Sequence, residues 1–223
     1  WLQGFPEQAW RTARQALDIA VQINHGTSIC YTLALASCLI AHYNGDVQNA
    51  RALLQLLLEQ AQKHSVLLFY TWARHYAQVI DADKAPAIPP ADSGLVREIM
   101  VTLDPGFVDD ALLERAQSGA AGWSTAEILR ARAERLLAAE SPCHHTVESA
   151  LQQSLEIART QGALAWELRS ATSLAQLWQR QSRYREALEL LTPIYQRFTE
   201  GYATPDLRKV RLLLDELRGQ SAA

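Results

Sequence analysis

The sequence is poor in cysteine, methionine and β-branched residues, and it carries no surplus of positive charge. Its three cysteines in 223 residues form no Cys-x-x-Cys pair, so neither a disulfide scaffold nor a zinc framework is implied, and a reducing compartment fits. Lys and Arg number 21 against 24 Asp and Glu, a net charge of −3. Nucleic-acid binding needs clustered excess cations on the phosphates, so it is not expected. Uninterrupted apolar runs such as Val66-Leu67-Leu68-Phe69-Tyr70 fall far short of a membrane span. No basic, apolar, small-residue export signal opens the chain, and the expected location is the cytoplasm. The chain starts at Trp1 and holds one methionine, Met100, so it reads as a piece of something longer. The motifs Gly-x-x-x-x-Gly-Lys-Ser/Thr, His-Glu-x-x-His and Gly-x-Ser-x-Gly are missing, which removes familiar signatures of nucleotide, metal and serine hydrolysis. No cofactor is expected, and an enzyme is the weakest function class.

What is abundant is alanine, leucine, glutamine and arginine, all strong helix formers. Apolar residues make up 48 %, an ordinary share for a chain with its own core. Helical spacing recurs along the whole sequence: Ala9, Ala13, Ala16, Leu17 and Ala20; Leu53, Leu54, Leu57, Leu58 and Ala61; Leu151, Leu155 and Ala158; Ala187, Leu190, Leu191 and Ile194. Between these stretches lie short turns, Asn24-His25-Gly26, Asn44-Gly45-Asp46, Gln161-Gly162 and Ser182-Arg183. Gly or Asn past a helix supplies a left-handed closing residue, and loops this short make neighbouring helices antiparallel. The pattern predicts an all-α array of helical hairpins, roughly eleven helices in all.

The hairpins repeat. Phe5-Pro6-Glu7-Gln8-Ala9, Asp46-Val47-Gln48-Asn49-Ala50, Thr146-Val147-Glu148-Ser149-Ala150 and Arg183-Tyr184-Arg185-Glu186-Ala187 each end in alanine and open a predicted helix of about four turns. The small residue suits a close helix crossing. Ala9 to Ala50 is 41 residues and Ala150 to Ala187 is 37. A fifth copy, Phe107-Val108-Asp109-Asp110-Ala111, lies 39 before Ala150 and 61 after Ala50, so half a repeat is missing. Residues 84–92, with Pro86, Pro89 and Pro90, read as an extended connection in its place. A helix from about Ser93 to Leu103 resumes the pattern, and Gly119 and Gly122 mark another joint. Stacking is expected to be irregular between 83 and 123, the most acidic stretch.

Several residue groups invite chemistry and read more simply as structure. Cys30 and Cys38 stand eight apart on one predicted helix, about 12 Å along its axis, too far for a disulfide; they read as small buried residues. Cys143-His144-His145 has the residue types of a metal site but lacks a fourth ligand; Thr146 and Ser149 suggest ordinary helix-start chemistry there. Asp109-Asp110 reads as a solvated pair. Trp72, Trp123, Trp166 and Trp178 read as fillers of hairpin interfaces. Thr204-Pro205-Asp206 reads as a helix start, and the helix to about Arg218 as a solvated cap on the last repeat.

The hairpin period resembles that of tetratricopeptide repeats, lengthened to 37–41 residues. The C-terminal run Leu168-Arg169-Ser170-Ala171-Thr172-Ser173-Leu174-Ala175-Gln176-Leu177-Trp178, followed by Ala187-Leu188-Glu189-Leu190-Leu191-Thr192-Pro193-Ile194-Tyr195 and Phe198-Thr199-Glu200-Gly201-Tyr202-Ala203-Thr204-Pro205-Asp206-Leu207, is similar to the repeat tail of large bacterial signal-transduction ATPases. These include transcriptional regulators of the maltose-regulator type and nucleotide cyclases. The opening Gly4-Phe5-Pro6-Glu7-Gln8-Ala9 looks like their repeat start; residues 84–105 depart from the pattern.

The resemblance implies a right-handed superhelix forming one repeat domain over 1–223: first repeats 1–83, a disrupted repeat 84–123, last repeats 124–203 and a capping helix 204–218. With Ala175 at the small crossing position, Arg169, Thr172, Gln176, Gln179 and Arg180 are expected on the concave side, and a similar placement brings His75 inward. The function implied is a non-catalytic regulatory module that holds a protein or peptide, other domains of its parent, or a small-molecule effector. A stand-alone adaptor is the alternative. A ligand pocket or enzyme at the broken repeat is a third reading.

Overall fold

Starts and stops follow local chemistry. Asp46 accepts from the Asn49 amide at 3.1 Å and Asp109 from that of Leu112 at 2.8 Å, each capping a helix. Asn24, Gly45, Ser65, Gly162 and Ser182 close helices with φ between +50° and +75°, the left-handed conformation that ends a helix. Between these signals the chain, in a computed structural model describing residues 1–85 and 88–221, is 78 % helix, with eleven helices and no strand among the described residues. Residues 86 and 87 of the expected 84–92 connection lie outside the described residues.

By its internal contacts the chain divides into two compact units, one of Trp1 with Pro6–Leu103, the other of Leu2–Phe5 with the chain from Asp104 onward. The first contains α1 (Pro6–Gln22), α2 (Gly26–Tyr43), α3 (Val47–Lys63), α4 (Leu67–Ile80) and α5 (Gly94–Leu103). Each packs on the next, and α5 returns to α2. There Thr102 Oγ1 donates to Ile99 O at 2.6 Å, so the 2.7 Å contact from Tyr43 is donated by the phenol; His42 Nε2 donates to Leu103 O at 3.2 Å. Helix α2 contains one π-helical turn, Leu33–Ser37. It is long and apolar enough to cross a membrane by length and composition, which the broken apolar runs of the sequence conceal. Leu33, Ala34 and Cys38 on it are fully buried with Leu57, Ala73 and Tyr76, so its apolarity serves the core of this unit.

The second unit contains α6 (Asp110–Gln117), α7 (Thr125–Leu137), α8 (His144–Thr160), α9 (Leu164–Arg180), α10 (Tyr184–Gln196) and α11 (Pro205–Ser221). Consecutive helices pack in pairs, and α11 also reaches α9. The core is Leu151, Leu168, Leu174, Leu177, Leu191, Val210 and Leu217. Burial of this many aliphatic side chains, about 1.5–3 kcal/mol each, is the main force holding the unit together. The N-terminal segment belongs here: the Ala165 amide donates to Leu2 O at 2.9 Å, and Gly4 at φ +93° lies against Leu164 and Phe198.

Two repeat expectations need correction. Ala50, Ala150 and Ala187 are buried at helix contacts, but Ala9 is only half-buried and Ala111 is exposed. In the fifth copy Leu112 takes the buried place, and the helix has eight residues instead of four turns because Gly119 at φ +77° follows its end. Of the Asp109-Asp110 pair, Asp110 is solvated as expected, 97 % exposed with Arg135 3.4 Å away, whereas Asp109 is half-buried and caps α6.

Candidate functional site

The residues singled out from the sequence fall into three environments. Arg169 and Thr172 turn into the second unit. Arg169 is 15 % exposed; its Nε donates to Asp206 Oδ2 at 2.8 Å and its Nη1 to Glu127 Oε2 at 3.1 Å. The guanidinium also lies 5.0 Å from the centroid of the buried Trp166 ring. Thr172 is buried and donates to Leu168 O at 2.6 Å. Gln179 is bound to α11 through Glu216 at 3.3 Å and Gln220 at 3.0 Å.

Around Arg169 lies a charge cluster that sequence reading missed. Glu127 is fully buried and receives Arg130 in bidentate fashion, Nε at 2.8 Å and Nη2 at 2.9 Å. Arg130 also reaches Glu134, which accepts from Ser173 Oγ at 2.9 Å. Burial alone would raise the Glu127 pKa, but the Arg130 and Arg169 guanidiniums reverse that and hold it below the ordinary carboxylate range. A second buried acid, Glu167, is held by Arg159 at 3.0 Å and Arg197 at 2.5 Å. Both acids and their cations are mutually satisfied, which suits structure better than ligand binding. The Glu127, Arg130 and Glu134 spacing of three and four was visible in the sequence, but it is equally the pattern of a surface ion-pair ladder.

Gln176 and Arg180 converge elsewhere, on a recess of about 280 Å³ between α7, α8 and α9. Leu137, Val147 and Leu151 give it an apolar wall. Neither Gln176 nor Arg180 hydrogen-bonds to a described residue, and Arg180 is exposed. One turn apart on α9, they present an amide and a cation along the same edge.

His75 lines a recess in the first unit, about 600 Å³, between α4 and the segment 88–96. It is 6 % exposed and forms no hydrogen bond to a described residue. Burial, together with the Arg74 charge, lowers its pKa, and Asp92 partly offsets this. Arg97 Nε donates to Ala91 O at 2.5 Å and fixes one side of the recess. At Cys143-His144-His145 all three residues are exposed at the start of α8, and among the described residues no group of three or more His, Cys, Asp or Glu could hold a metal ion. Of the tryptophans, Trp166 and Trp72 are buried, Trp123 packs 6.5 Å from Trp166, and Trp178 Nε1 donates to Glu148 at 2.8 Å beneath Arg183.

Comparison with known proteins returns no match to a family model, to a curated protein or to a solved structure.

Proposed function

We propose that the chain is a non-catalytic docking module built from tetratricopeptide-like hairpins in a right-handed superhelix, the interaction part of a cytoplasmic bacterial signalling or transcription-control protein. The observation that carries this reading is the Gln176–Arg180 edge beside the apolar recess. Its volume of about 280 Å³ takes one large side chain, and Arg180 offers charge-assisted hydrogen bonds to an acid next to it. The occupant is therefore a peptide segment, from a partner or from the parent chain, with an apolar anchor flanked by Asp or Glu. The sequence resemblance supports the same class of function.

Fluorescence polarisation of labelled peptides against the whole chain tests this. Peptides pairing an apolar anchor with an acidic neighbour should bind saturably, and Arg180→Glu should weaken them at least tenfold, or about 1.4 kcal/mol, without changing the unfolding midpoint. No binding across the set, or binding indifferent to Arg180→Glu, overturns the reading.

A further inference from the structure

The recess in the first unit has a second chemistry, separate from the docking groove and independent of it. At about 600 Å³ it lies within the range of small-molecule sites. Trp72, Leu67 and Val96 supply apolar wall. Trp72 and Val96 are buried, whereas Leu67 at its rim is 74 % exposed.

Three titratable side chains, Arg74, His75 and Asp92, line the same recess. His75 is buried to 6 % exposure with no hydrogen-bond partner among the described residues. Its ring nitrogens are not among the buried polar atoms left without a partner, so they stay open to a ligand in the recess. Arg74 is half-buried and Asp92 exposed; neither makes an ion pair or hydrogen bond to a described residue, although both act electrostatically on His75. A cation and an anion that share one recess without meeting offer two separate charged ends.

We propose that this recess binds an apolar α-amino acid. The carboxylate lies on Arg74, with the His75 ring beside it; the ammonium faces Asp92; and the aliphatic or aromatic side chain covers Trp72, Leu67 and Val96. A ligand with only one charge leaves Arg74 or Asp92 unanswered. A sugar lacks both charges, and a nucleotide brings two or more negative charges toward the single cation.

Isothermal titration of the whole chain tests the assignment with L-phenylalanine, L-leucine, 3-phenylpropionate and phenethylamine. Both amino acids should bind at one site, each one-charge analogue at least tenfold more weakly. Arg74→Gln should bring L-phenylalanine down to the level of phenethylamine, and Asp92→Asn to that of 3-phenylpropionate, with circular dichroism unchanged. If either variant fails to fold, the ligand series on the unaltered chain decides alone. No saturable binding of either amino acid at about 10 mM, well beyond the millimolar limit of weak specific binding, overturns the proposal, as does equal binding of a one-charge analogue. The Arg180→Glu variant should bind these ligands normally, so the recess and the groove stand or fall separately.

Discussion

Arg169 Nε donates to Asp206 Oδ2 at 2.8 Å while the same guanidinium reaches the fully buried Glu127 at 3.1 Å. One side chain on α9 thus joins the first turn of α11 to the interior of α7. Asp206 had been legible as an acid at a helix N-terminus, where it favours the positive end of the dipole; its second role, holding Arg169, depends on packing across 37 residues.

Removing this bridge should be costly. Arg169→Ala leaves Glu127 with Arg130 as its one remaining cation among the described residues. Breaking a buried pair from one side costs about 3–5 kcal/mol, and the surviving bidentate Arg130 contact puts Arg169→Ala at about 3. Asp206 is 27 % exposed, so water can replace part of what it gives, and Asp206→Asn should cost less. Urea unfolding of the two variants checks the order; equal, small losses would show that Arg169 contributes little there.

The pH dependence follows from Glu127. Its folded pKa is lowered, whereas the unfolded side chain titrates at about 4.3. The unfolded chain therefore takes up the proton first on acidification, and stability falls as pH falls. The contribution is complete above the ordinary carboxylate range and is lost between that range and the lower folded pKa. Stability measured stepwise from pH 7 to pH 3 should fall less steeply at the acid end in Glu127→Gln than in the unaltered chain. Parallel curves would remove Glu127 from the acid response.

The all-helical class and the helix number were legible because apolar spacing, capping acids and short turns all act locally. Asn24, Gly45, Gly162 and Ser182 mark helix ends in the sequence and adopt left-handed φ in the structure. Gly26 shows where local reading stops. It reads as a turn residue and is the first residue of α2, yet a Cβ there would come within 2.2 Å of His64 Cγ at the end of α3. Nothing near position 26 in the sequence announces His64. The same holds for the site. Spacing on one helix brought Gln176 and Arg180 to one edge, but it could not tell that Arg169, on the same helix, would meet Glu127 and Asp206 from two others. His75 was singled out, whereas Arg74 and Asp92 were not proposed as its partners, because the recess exists only where the segment 88–96 passes α4.

The three cysteines should separate sharply in reactivity. Cys30 and Cys38 are fully buried, and burial pushes the Cys38 thiol up to about 12 and raises that of Cys30 as well. Since the thiolate is the nucleophile, both should be inert in the folded chain. Cys143 is exposed at the N-terminus of α8. Hydrogen bonding from Thr146, with the backbone amides there, lowers its pKa. Brief treatment with iodoacetamide near neutral pH should therefore add a single label, found by peptide mass mapping on Cys143, and denaturant should release the other two sites. Because a lowered thiol pKa leaves more thiolate at a given pH, the rate at Cys143 should reach half its plateau at a lower pH than that of an ordinary free cysteine. Replacing Thr146 by Val should move that midpoint upward. A rapid second label in the native protein would mean that the α2 core opens on the timescale of the reaction, and the buried thiols would then report the opening of the first unit directly.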